Sequence, residues 1–226
     1  GGGGGGGGDD TPPDNNTTTV QSNVVTIDSG TKAVSTTTNS TADRNGATIA
    51  VTDRNDELNG LEVVVPEGAT DEQISFTVES SGVSDIQGIP EGVSVASKLI
   101  TITATGSDDW NTYAMFDKAV KVTIPYEETD DSVAVYRVNE DGTLEPTGFA
   151  AEDDTNNTIT FWTRSFGDSA EDLEESASGV SVSSVYSASG VSVSSAHYAS
   201  YVVIGLTQQV LTDWMNNTTS IDTGFR

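Results

Sequence analysis

Apolar and polar residues alternate most regularly between Lys118 and Phe166, where three runs, VKVTIPY, SVAVYRV and TITFWTRSF, are separated by short acidic turn sequences. Each run is rich in β-branched and aromatic side chains, and the period of two reads as antiparallel strands with one buried face. Further strands are expected at Val24 to Ile27 and Thr48 to Val51, and again at Gln73 to Glu79 and Leu99 to Ala104. Ala47 to Val65 reads as a hairpin, because the polar cluster Asp53-Arg54-Asn55-Asp56 and the turn signal Asn59-Gly60 lie between two β-rich runs. Gly82 to Gly92, with Gly88 and Pro90, reads as a loop. Tyr201 to Leu206, YVVIGL, is a closing core strand, and the spacing of Leu206, Val210, Leu211, Trp214 and Met215 predicts an apolar helical face after it.

These elements define an all-β chain: a single antiparallel β-sandwich over residues 20–206, with a disordered Gly-rich N-terminal tether over 1–19 and a short C-terminal helix or linker over 207–226. The tether opens with eight glycines and continues through Asp, Thr, Pro and Asn, a composition that cannot bury a core and spans roughly 20–25 Å on average for about 19 residues. Residues 168–196 read as an insertion. They begin with an acidic stretch, Asp168 to Glu175, and lead into a near-perfect repeat, SASGVSVSSVY over 176–186 and SASGVSVSSAHY over 187–198. Valines alternate with serines in each copy, which predicts a duplicated hairpin; two copies are too few for a solenoid.

Composition narrows the function. At 226 residues the chain is long enough to bury a substantial core. Nine Lys and Arg against 35 Asp and Glu give a formal net charge of −26, which opposes nucleic acids and anionic membrane surfaces. The sequence has no cysteine, so disulfides and thiolate metal sites are excluded, and it has no apolar stretch of the roughly 20 residues needed to span a bilayer. Its ends read as those of a processed or truncated chain, with a further domain expected beyond Arg226.

Candidate chemistry is sparse. His197 is the single histidine, there is no Gly-x-Ser-x-Gly elbow, and zinc lacks its usual nitrogen and sulfur donors, so no catalytic residue is assigned and no cofactor is implied. A structural role is expected for His197, capping a turn or hydrogen-bonding a backbone carbonyl beside the last strand. Acids cluster in turns, at Glu127 to Asp131, Glu140 and Asp141, and Glu152 to Asp154, where they hydrogen-bond their own backbone. Calcium is the sharper alternative, because hard cations take oxygen ligands from loops. Two groups have the chemistry for it: Asp53, Asn55 and Asp56, and Asp153, Asp154 and Asn156. Trp110, Tyr113 and Phe116, together with Trp162, are either core or a carbohydrate-stacking platform, with core favoured.

Two resemblances add to this reading. The Gly-rich acidic leader resembles the segment that follows the lipidated cysteine of bacterial lipoproteins, which implies a lipid anchor upstream of Gly1, although that cysteine is absent from the sequence. The stretch Gly60-Leu61-Glu62-Val63-Val64-Val65-Pro66-Glu67-Gly68-Ala69 resembles the opening of the ZU-type β-sandwich domain of zona occludens and netrin-receptor proteins. Val120 to Tyr126, Val133 to Pro146 and His197 to Val203 look similar to its later motifs, so the resemblance spans Ala47 to Leu206. The chain departs from the pattern where residues 168–196 separate Arg164-Ser165-Phe166 from His197. The resemblance implies a noncatalytic module that binds, spaces or displays at the cell surface, extracytoplasmic and outer-membrane anchored or secreted. Its expected partners are a protein, a glycan or a neighbouring domain. Two alternatives remain open: an accessory region of a larger secreted enzyme whose catalytic domain lies beyond Arg226, and a calcium-dependent adhesin.

Overall fold

A computed structural model describes residues 24–27, 32–87, 93–140, 142–148, 150–167 and 197–207. The Gly-rich tether, the insertion over 168–196 and the helix expected after Leu206 lie outside these residues. In chain order the first strands are β1 (Val24–Ile27), β2 (Ala33–Val34), β3 (Thr41–Ala42), β4 (Ala47–Ala50) and β5 (Glu62–Val65). They are followed by β6 (Ile74–Ser81), β7 (Val83–Gln87), β8 (Val93–Val95) and β9 (Leu99–Thr105). After the short helix α1 (Asp108–Tyr113) come β10 (Val120–Pro125), β11 (Ser132–Val138), β12 (Leu144–Pro146), β13 (Ala150–Asp153), β14 (Thr158–Thr163) and β15 (His197–Leu206).

Thirteen of the strands build two antiparallel sheets that face each other, and β1 and β7 form a separate antiparallel pair. The smaller has the order β13-β14-β10-β5-β4, and the larger runs β12-β11-β15-β9-β6-β2, with β3 and β8 adding short pairings to β6 and β15. β10 and β14 are neighbours in full register from Val120 opposite Thr163 to Pro125 opposite Thr158. β11 is absent from that pair: it crosses to the larger sheet and aligns along β15 from Ser132 opposite Leu206 to Val138 opposite Ser200. The three runs between Lys118 and Phe166 are therefore split between two sheets rather than laid side by side.

Alternation explains the interior. Val120, Val122 and Ile124 of β10, Ile159 and Phe161 of β14, Val63 and Val65 of β5, and Ile49 of β4 point inward from the smaller sheet. They meet Phe76 and Val78 of β6, Ile100, Ile102 and Ala104 of β9, Val133 and Val135 of β11, and Tyr201 and Val203 of β15. Burying each Val, Ile or Phe side chain among these stabilises the fold by about 1.5–3 kcal/mol before entropy is counted.

The expectation of one buried face fails for the centre of the larger sheet. Ala134, Tyr136 and Val138 of β11, with Val202, Ile204 and Leu206 of β15, face away from the sandwich interior yet are buried, in a second cluster that includes Leu99. Val83, Val93, Val95 and Leu144 pack against it. The run YVVIGL carries no polar residue in either register, as a strand buried on both faces requires. β15 is accordingly central, hydrogen-bonded to β11 on one side and to β9 and β8 on the other.

The hairpin between β4 and β5 forms as expected. Val51 N donates to Leu61 O and Gly60 N to Val51 O, with Gly60 at φ +98° closing the turn. Residues 82–92 do not read out as one loop, because β7 occupies Val83–Gln87 and pairs antiparallel with β1. Helix α1 is a second departure. Ser107 caps it, its hydroxyl accepting from Trp110 N at 3.3 Å, and Asp108 and Asp109 occupy the first turn, where negative charge suits the exposed N–H groups. A six-residue helix offers too little apolar periodicity to be recognised beforehand.

Candidate functional site

Three regions hold the polar side chains that the sequence singles out. The first is the acidic turns. Asp53 Oδ1 accepts from Asn55 N at 2.9 Å, and Asp56 Oδ1 accepts from Leu58 N at 2.8 Å and from the Ser35 hydroxyl at 3.0 Å. Asp153 Oδ1 accepts from the amides of Thr155 and Asn156, both at 3.1 Å, while its Oδ2 accepts from Asn156 Nδ2 at 2.8 Å. The Asn156 side chain, followed by its backbone N–H, holds the Asp153 carboxyl below the usual carboxylate range. Both groups thus use carboxylate oxygens to fold their own turns. Among the described residues no group of three or more His, Cys, Asp or Glu side chains is placed to hold a metal ion.

The second region is the end of the sandwich where the chain leaves at Gly167 and rejoins at His197. A Cβ built on Gly167, whose φ is +128°, would sit 3.2 Å from His197 Cβ, so residues 168–196 depart from and return to one point. That point is firmly built. His197 is buried, and its Nε2 hydrogen-bonds the carbonyl of Asn111 in α1, the second of the two structural roles expected of it. Asn111 is also buried, its side chain accepting from Gly106 N at 2.8 Å and donating to Gly106 O at 3.0 Å. Beneath lie four aromatic rings. Phe116 is stacked on Phe76 at 6.1 Å and meets Trp110 at 5.3 Å and Phe166 at 6.1 Å edge-on. Arg164 locks the base: its Nε donates to Phe116 O at 3.0 Å and its carbonyl accepts from Phe116 N at 2.8 Å.

This arrangement divides the expected aromatic platform. Phe116 is fully buried and Trp110 packs against the core, whereas Tyr113 and Trp162 stay exposed, at 66% and 45%. Trp162 stands on the outward face of β14 opposite Lys121, alternate to the inward Phe161.

The third region is a cavity of about 170 Å³ at one corner of the sandwich, which sequence reasoning did not find. Arg137 of β11, Glu145 and Pro146 of β12, Phe161 and Thr163 of β14 and Tyr201 of β15 line it, with Thr147 at the crossover from β12 toward β13. Along β11 the interior positions are Val133, Val135 and then Arg137, so the third inward side chain is a cation. Register places Tyr201 directly opposite Arg137 on one side and Glu145 on the other, and residues opposite each other share a face. The rings of Phe161 and Tyr201 form the floor, 4.8 Å apart. Burial pushes the Tyr201 phenol above its ordinary value, and the Arg137 guanidinium pulls against that shift.

Polar groups elsewhere also link strands. Thr101 and Ser200 share a buried hydroxyl hydrogen bond of 2.9 Å across β9 and β15. Tyr126 donates to Glu152 Oε1 at 2.9 Å; burial first, then that bond, raises its phenol. No helix among the described residues is long and apolar enough to cross a membrane. Comparison of the chain with protein-family models and with curated proteins finds no match.

Proposed function

We propose that this chain is a noncatalytic extracytoplasmic β-sandwich module of a bacterial surface protein or lipoprotein, acting as a binding, spacer or display domain. The observation that carries the reading is the meeting of Gly167 and His197 on a rigid aromatic base. A sandwich with both inner faces filled supplies a stiff body, and a segment that leaves and returns at one point of such a body can vary without disturbing the strands. The −26 charge suits a well-solvated exterior. The likeness of Gly60 to Ala69 and of His197 to Val203 to the ZU-type domain supports the same reading.

The test replaces residues 168–196 by a short Gly-Ser linker and compares melting and surface binding with the intact chain. A display module keeps its melting temperature within about 3 °C, because the shortened loop costs little and slowly varying closure entropy, and it loses adhesion to cells or glycans. Unfolding of the shortened chain would refute the role of a self-sufficient scaffold. Protease shaving of intact cells checks location: a module held outside the cytoplasm is cleaved without lysis.

A further inference from the structure

At the β11 and β12 corner, the face of the larger sheet that carries Val133 and Val135 ends in Arg137, which is half-buried, and Glu145, which is exposed at the edge. Together with these two charged groups, Tyr201, Thr147, Thr163 and Phe161 line the cavity. Glu145 and Pro146, both exposed, place the rim of the cavity at the β12 edge.

We propose that this corner pocket binds a small hydroxylated carboxylate of the size of one sugar acid. Arg137 carries a planar fork of five N–H donors, so it can take a carboxylate in addition to the interaction it already has. The Tyr201 hydroxyl adds a donor, and the Glu145 carboxylate, on the same face as Arg137, accepts from a ligand hydroxyl. This pairing of a cation with an anion selects a molecule with both groups over a bare anion. The floor of Phe161 and Tyr201 offers an apolar surface against which a ring's C–H face can lie. At about 170 Å³ the cavity is smaller than the roughly 300 Å³ at which drug-sized sites begin, which limits the occupant to a single ring. Nothing in the proposal requires the display role of residues 168–196, and each can fail alone.

The experiment is a methyl NMR titration of the full chain with D-glucuronate, following Thr147 and Thr163, with D-glucose and acetate as comparison probes up to roughly 20 mM, a range suited to weak binding of a small ligand. The expected result is a saturable shift at both methyls with glucuronate, a weaker one with acetate and none with glucose. Arg137→Met is expected to raise the dissociation constant about tenfold or more, the loss of a charge-assisted pair, with Arg137→Lys between the two. Glu145→Gln is expected to weaken glucuronate while leaving acetate unchanged, which keeps the proposal open to test should Arg137→Met fail to fold. Absence of saturation, equal response to glucose, or undiminished glucuronate binding in Arg137→Met would each overturn it.

Discussion

Phe116→Ala is the sharpest test of how the junction end is held together. The ring is fully buried and touches Phe76, Trp110 and Phe166, so truncation removes the centre of a four-ring cluster. A buried Phe→Ala change costs about 3–5 kcal/mol, combining lost transfer energy with the cavity left behind. At roughly 2–4 °C per kcal/mol for a domain of this size, the melting temperature should fall by about 6–20 °C. Neighbouring Met115 supplies the control. It is 49% exposed, and Met115→Ala should change stability by no more than about 0.5 kcal/mol. Calorimetry or circular dichroism on both variants reads the difference, and hydrogen exchange at the His197 amide reports whether the junction loosens before the sheets separate. Equal melting of the two variants, or a loss below about 1 kcal/mol for Phe116→Ala, would show that the aromatic cluster does not organise this end and would remove the rigid base invoked for display.

Three further outcomes follow from the geometry. Gly46→Ala should destabilise by at least about 2 kcal/mol, since a Cβ there would lie 2.4 Å from Val65 O at φ +77°, whereas Gly148→Ala, strained in φ but unobstructed, should cost only about 1 kcal/mol by denaturant titration. Burial raises the phenols of Tyr126, Tyr136 and Tyr201, so their contribution is fully present below the ordinary tyrosine value near 10 and is lost as pH rises beyond it; ultraviolet titration should show these three ionising only as the protein unfolds in alkali. The Asp153 carboxyl is shifted the other way, so its contribution is present above the ordinary carboxylate value and fades as pH falls through the lowered one; Asn156→Ala should move its NMR titration midpoint back up toward about 3.9.

Some of these features are legible in single residues and some are not. The turn at Asn59-Gly60 is, because a left-handed φ favours glycine and the demand is local. His197 likewise declares a structural role by being the lone histidine beside an apolar strand, and it bonds the Asn111 carbonyl. Helix α1 left a cap signal in Ser107-Asp108-Asp109 that is easily passed over in so short an element. Strand β7 left less: Val83 to Gln87 is flanked by Gly and Pro, and its pairing with β1 is a contact across more than fifty positions that no local rule reports.

The sequence by itself determined most of the longer strands, the alternating faces of the smaller sheet, the acidic composition and the absence of thiol chemistry, because all of these depend on neighbouring residues or on composition. Only the tertiary structure decided which sheet each strand joins. Alternation marks a side chain as facing in or out but says nothing of the partner strand, so β11 could be sent across the sandwich from β10 and β14 without any change in its pattern. The same limit hid the corner pocket. In SVAVYRV both registers hold apolar residues, and the pairing of β11 with β15 and β12 turned Val133, Val135 and Arg137 toward the interior and brought Arg137 beside Tyr201 and Glu145.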